Sequence, residues 1–447
     1  MNSTAFRRLG AISTVAVLAV ALSGCGIFHG KGGPKTPTVG NRVPILSRIE
    51  AGTSVDPTLA AVTVVVPPPQ VNADWSQAGG TASKSYGHLA LSDNPNELWR
   101  ASIAGSGKKR RLAASPVIGN GTLFVMDTDG VVDAFDANTG TPKWHYKMPV
   151  PGKIEASAFG GGVSYSNGRV YATNGVGDVA ALDAADGKVY WSVKPSGPLR
   201  GAPTIAFNAV IAMTQDNQVI SLNAADGAIQ WTKAGSAGQT GIFGVAAAAA
   251  AQGSIVAGYS TGEVAAYRYE NGRELWLDAL SRTNISTEVG ALTDVDADPI
   301  IDNGRVYALG QGGRMAAYEL NTGQRVWELN LAGISTPAIA GEWIFTLTDD
   351  ARLMAIARNT GKIRWLTQFD EFKKPKKRID RIFWTGPVLA GNHLWVANSR
   401  GKVFSVDVAS GKPTEFRDLG SSISLAPVVA NQILYILDDK GTIHAFR

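Results

Sequence analysis

Six copies of a Gly-x-x-x-Trp unit, two short alternating runs ahead of each copy, and a proline opening most repeats predict an all-β chain, an eight-bladed β-propeller with four antiparallel strands per blade. The units recur at intervals of about 40 to 50 residues, the period of arrays whose members cannot bury a core alone. Gly140 is followed by Trp144, Gly187 by Trp191, Gly227 by Trp231, Gly272 by Trp276, Gly323 by Trp327 and Gly361 by Trp365. A degenerate copy has Gly411 with Glu415 and Phe416 in place of the tryptophan.

Within a repeat, runs such as Leu123-Phe124-Val125-Met126 and Val131-Val132-Asp133-Ala134-Phe135 alternate and are joined through Asp129-Gly130, the pattern of a hairpin. Ahead of the hairpin a further short strand opens with Pro116, Pro203, Pro299, Pro337, Pro387 or Pro427. Proline cannot donate to a ladder, so this strand is an edge strand, the innermost, lining a channel. Inner strands begin near Ser115, Gly162, Ala202, Val245, Asp298, Thr336, Gly386 and Ala426, which gives eight blades. The eighth runs out at Arg447 after three strands, and Glu97-Leu98-Trp99-Arg100 carries a tryptophan with no blade in front of it. That N-terminal strand is expected to close the eighth blade and hide both open edges. The repeated tryptophans are packing groups of the outer strands.

The N-terminus is read separately. Arg7 and Arg8 precede an apolar stretch, residues 9–22, with the length of a secretory signal rather than of a membrane span. It ends Leu22-Ser23-Gly24-Cys25, which resembles the lipobox of bacterial lipoproteins, and Cys25 is the sole cysteine of the chain. Residues 1–24 are expected to be removed and Cys25 to carry acyl chains that hold the protein on a membrane. A Pro/Gly-rich tether is expected over residues 25–72, its apolar run 61–66 docking on the body, and the propeller over 73–447. One cysteine allows no intramolecular disulfide and no cysteine metal cage. With 42 basic and 37 acidic residues the net charge is +5, too mild and too scattered for nucleic acid.

Blade topology sorts the loops. Lettering the strands A to D from the channel outward, the A–B and C–D turns share one face, and the B–C and D–A connections share the other. The C–D turns are short and uniform while the D–A connections vary in length, so function is assigned to the D–A face. Leu199-Arg200 precedes the inner strand of blade 3, and Asp294-Val295-Asp296-Ala297-Asp298 that of blade 5. Phe372-Lys373-Lys374-Pro375-Lys376-Lys377-Arg378 enters blade 7 and reads either as a solvated loop or as a contact for anionic lipid headgroups or lipopolysaccharide. The aspartate run fails the EF-hand pattern, because Pro299 stands where that loop needs glycine and Arg305 where it needs a bidentate glutamate; a looser cation site stays open.

Lipobox, Asp-Ala-x-x-Gly-x-x-x-Trp repeats, Leu199-Arg200-Gly201-Ala202-Pro203-Thr204, and Ser286-Thr287-Glu288 followed by Leu292-Thr293-Asp294-Val295-Asp296 together resemble the BamB family. Its members are propeller lipoproteins of the outer-membrane β-barrel assembly complex. The similarity runs from about Glu97 to the C-terminus, with the signal in addition. It implies a non-enzymatic scaffold on the outer membrane, lipid-anchored at Cys25 and facing the periplasm. It implies BamA and the other complex subunits as partners, with nascent outer-membrane β-barrel proteins as further candidates. The residues matching the family's BamA contacts are Leu199, Arg200, Asp294 and Asp296. No cofactor, metal site or catalytic residue is implied. This chain departs in its longer tether, its basic insertion and its degenerate repeat. The alternative is a pyrroloquinoline-quinone-dependent dehydrogenase, which shares the propeller plan; against it stand the lone cysteine, the small residues 246–251 on an inner strand, and 5 histidines without ligand spacing.

Overall fold

The computed structural model describes residues 53–199, 201–236, 246–280 and 294–447. Among them are eight four-stranded antiparallel sheets arranged as propeller blades, as the repeat predicts. Blade 3 is representative, with strands Thr204–Ala206, Ala209–Met213, Gln218–Asn223 and Ile229–Ala234. Its second strand is buried throughout, because neighbouring blades cover both of its faces, while its outer strand buries one side chain, Trp231. Blade 8 is assembled from both ends of the chain. Val428–Ala430, Ile433–Leu437 and Thr442–Phe446 are completed by Glu97–Ser102, registered from Glu97 opposite Phe446 to Ser102 opposite Thr442.

The outer-strand tryptophan is a latch to the next blade. Trp99 Nε1 donates to Ala137 O at 3.1 Å, Trp144 to Ala184 O at 3.0 Å, Trp191 to Ala224 O at 3.1 Å and Trp231 to Tyr269 O at 2.8 Å. Trp276, Trp327 and Trp365 reach Leu320 O, Arg358 O and Val408 O in the same way. Each acceptor lies in the following blade's C–D turn, whose glycine takes the face of the indole. At Gly140 the backbone is left-handed (φ 71°) and a Cβ would stand 2.5 Å from the Trp99 ring, so conformation and space both demand glycine. Blade 7 has Phe416 instead, edge-on to Trp395 and Phe446. Where its latch would find a C–D turn, the chain ends meet, with Asn96 and Arg447 exchanging backbone hydrogen bonds of 2.7 and 2.8 Å. The degenerate repeat therefore sits where a tryptophan would have no turn to grip.

Residues 53–96 lie on the propeller. Asp56 N–H donates to Ile363 O at 2.8 Å, its carboxylate pairs with Lys362 at 3.2 Å, and Val64 is buried in a cluster with Trp343 and Trp365. From Asn72 the chain circles the channel at its A–B end. Asn72 O accepts from Asn431 N, Trp75 and Ile118 exchange two backbone bonds, and Ser76 O accepts from Tyr165 N. The Gln77 carboxamide pairs with both backbone groups of Ile205, at 2.8 and 3.0 Å. Ala82 O and Ser83 O accept from Ala250 N and Ile301 N, and Leu89 exchanges bonds with Leu389 and Gly391. These bonds supply partners to inner strands whose channel edge would otherwise present bare polar groups.

Candidate functional site

The circling segment makes the channel a blind cavity of about 390 Å³. Trp75, Ala78, Gly79 and Tyr86 contribute to its floor, the Trp75 and Tyr86 rings lying 4.8 Å apart. Its walls are residues just ahead of inner strands, among them Ala114, Ala202, Asp298, Thr336 and Ala426, with Thr385 from the start of the blade 7 inner strand Trp384–Ala390, so it opens on the D–A face. At the rim stand Phe383, 62 % exposed, and Ile334.

Charge is buried at the floor. Lys84 is enclosed, its Nζ donating to Ala78 O at 2.9 Å and Thr204 Oγ1 at 3.1 Å. Burial pulls its ammonium down to about 8, and the attraction of Asp298 opposes that only in part. Burial likewise raises the Asp298 carboxyl, against the pull of Lys84 and of the Ala247 N–H, which donates to Asp298 Oδ1 at 2.6 Å. Nothing in the sequence around Lys84 announced this role. The segment has no periodicity, and its backbone, not its side chains, forms most of the bonds to the blades.

The four residues expected to contact a partner separate on inspection. Leu199, which matches a partner contact of the family, is buried in the propeller. It is 3 % exposed, bridges to Thr214, and packs with Tyr171, Trp191 and Ile205. Arg200, like Cys25, lies outside the described residues. Asp294 and Asp296 are 2 % and 5 % exposed. They alternate with Val295 and Ala297, which are fully buried, and Asp294 O accepts from Gln311 N at 2.8 Å. Asp296 borders the cavity together with Asp298, whereas Leu199 and Asp294 do not. Charge reversal at Asp294 or Asp296 would therefore strike the fold as well as any interface. Among the described residues no group of three or more His, Cys, Asp or Glu side chains gathers in an arrangement that would hold a metal ion.

The basic run is a hairpin. Phe372–Lys374 pairs with Ile379–Arg381 across a single 3-10 turn, Pro375–Lys377, and Arg378 and Asp380 take left-handed backbone angles. Arg381 holds its base by donating to Asp349 O at 2.6 Å, and Phe369 stacks on Trp384 at 4.2 Å beneath it.

The family described as outer membrane protein assembly factor BamB matches residues 86–158 and 128–367 of this chain. The chain belongs to the BamB family. Curated relatives of that name from Yersinia pestis and Escherichia coli K12 are 28 % and 29 % identical, aligned over 79 % and 78 % of this chain and 89 % and 88 % of their own. The relative from Burkholderia pseudomallei is 26 % identical, over 78 % of this chain and 87 % of its own. Among solved structures, BamB from Moraxella catarrhalis superimposes with a TM-score of 0.67 at 18 % identity, covering 79 % of this chain and 99 % of that one. A quinohemoprotein alcohol dehydrogenase from Comamonas testosteroni reaches 0.65 at 14 % identity, over 84 % and 80 %. At those identities the two superpositions show a shared propeller and nothing about chemistry.

Proposed function

We propose that this member of the BamB family is a non-enzymatic scaffold of the outer-membrane β-barrel assembly complex, presenting its D–A face to the barrel-forming subunit BamA. Residues 1–24 are the signal, and acyl chains on Cys25 hold the propeller at the periplasmic side of the outer membrane. Membership of a family named for outer-membrane protein assembly carries the reading. The two family-type loop motifs support it, since both enter inner strands on the face where the cavity opens. Leu199 and Asp294, both buried, act by fixing the course of their connections, and Asp296 shapes the cavity edge. Arg200 is the residue assigned direct contact, through charge-assisted hydrogen bonds to acidic groups of the partner.

Arg200→Glu is expected to lower co-purification with BamA from mildly solubilised envelopes at least tenfold, in keeping with the roughly 2 to 5 kcal/mol such contacts carry once desolvated. Its melting temperature should match wild type. Equal recovery of BamA with the folded variant would place the interface elsewhere. Cys25→Ala should abolish acylation while the propeller stays folded; an acylated product detected by mass spectrometry at another residue would refute the anchor assignment.

A further inference from the structure

We propose that the hairpin Phe372–Arg381 is a membrane contact that seats the blade 6 sector of the D–A face on an anionic lipid leaflet. Residues 371–381 hold six basic side chains and two acidic ones, a net charge of +4. Lys374 lies 3.8 Å from Asp380, and Arg378 and Arg381 share Glu371 at 3.9 and 3.8 Å. Lys373, Lys376 and Lys377 have no carboxylate within 4 Å among the described residues, and all three are exposed. The charge is thus concentrated at the tip, ahead of a base fixed to the propeller.

Apolar groups share the surface. Ile379 is 47 % exposed, and Phe383, below the hairpin, lies under the Arg381 guanidinium at 5.6 Å. Cations interleaved with exposed apolar side chains suit the headgroup boundary, where phosphates meet acyl chains. An acidic protein face would satisfy the lysines and leave Ile379 and Phe383 in water.

Position agrees with chemistry. The described chain begins at Thr53, whose hydroxyl donates to Asn330 O in the connection entering blade 6. The hairpin is the connection leaving blade 6, after its outer strand Ile363–Gln368. The N-terminal segment and the basic hairpin therefore flank one blade, and an anchor at Cys25 would draw that sector toward the bilayer. The inference uses the anchoring proposed above for this last step alone, since charge and apolar exposure stand without it.

The test uses the acylated chain with Asp380→Cys, whose thiol is the only free one once Cys25 is modified, labelled with an environment-sensitive dye. In vesicles of phosphatidylethanolamine with phosphatidylglycerol the dye should shift to the blue, and the shift should be reversed by 0.5 M salt through screening, about 0.5 M lying well above the range where surface attraction persists. In phosphatidylcholine vesicles no shift is expected. Lys373→Glu with Lys376→Glu and Lys377→Glu should raise the phosphatidylglycerol needed at least tenfold. Flotation reads anchoring separately: without an anchor the same shift is expected at higher lipid concentration. A dye indifferent to phosphatidylglycerol in either case overturns the proposal, as does an unimpaired triple variant, and a shift elicited instead by an acidic subunit of the assembly complex assigns the hairpin to protein.

Discussion

A chain lacking residues 74–103 is expected to lose its cooperative melt, while one lacking residues 30–67 keeps it with a modest drop. The first deletion removes the strand Glu97–Ser102 that completes blade 8, the Trp99 latch onto blade 1, and the buried side chains Trp75, Leu89 and Leu91. Burying each large apolar side chain contributes about 1.5 to 3 kcal/mol, so the loss is on the order of 10 kcal/mol, comparable with the whole stability of a typical domain. It also exposes the edge of Thr442–Phe446 and bares the channel side of the inner strands. The second deletion takes away one buried valine, Val64, and the Asp56–Lys362 pair, worth about 2 kcal/mol together. Thermal melts followed by circular dichroism decide the matter, and equal midpoints for the two deletions would show that ring closure does not govern stability.

Lys84→Met is expected to cost about 3 kcal/mol at pH 7, and Lys84→Met with Asp298→Asn to recover most of it. The single change strands Asp298 in the interior and leaves Ala78 O and Thr204 Oγ1 without their donor. The double change removes both charges and leaves an amide oxygen at residue 298 for the Ala247 N–H. Lys84 also imprints a pH dependence of defined sign. Its folded pKa, about 8, lies below the ordinary 10.5, so between these values the unfolded chain binds more protons. The group's contribution to stability therefore rises with pH through that window, and below it the buried ammonium is a constant penalty. Denaturant titrations at pH 7.5 and 9.5 should show this gain in wild type and not in the variant. Persistence of an equal gain in Lys84→Met would assign it to other groups.

The blades were legible because each repeats one physical bargain. An indole N–H needs a carbonyl in the next blade's turn and an uncovered glycine to lie on, so the residues recur at fixed spacing in six copies. Even the failed copy at Phe416 becomes intelligible once the chain ends are seen to occupy the place of the missing turn. The floor was illegible for the opposite reason. Ser76, Ala82 and Ser83 act through backbone oxygens, which any residue supplies. At the site, a run of aspartates ahead of an inner strand looks like a solvated loop in sequence, yet its backbone turns inward, so that the intervening Val295 and Ala297 are buried with the acids. The burial of Leu199 was hidden for a related reason, its connection pairing back onto Thr214. The basic run gave away its charge but not its hairpin, whose turn depends on Pro375 and on left-handed backbone at Arg378 and Asp380.

The pairing of the first blade strand with the last sets an order of events for a chain synthesised from its N-terminus. Asn72 and Val429 are hydrogen-bonded although 357 residues separate them, and Glu97–Ser102 finds its ladder only when Thr442–Phe446 has emerged. Such distant pairings are slow to form. Until then the closing strand is an unclaimed β-edge, open to any neighbouring chain with an edge of its own. Under the periplasmic location proposed above, the interval before closure is when this chain would itself most resemble an unfolded barrel strand awaiting a partner.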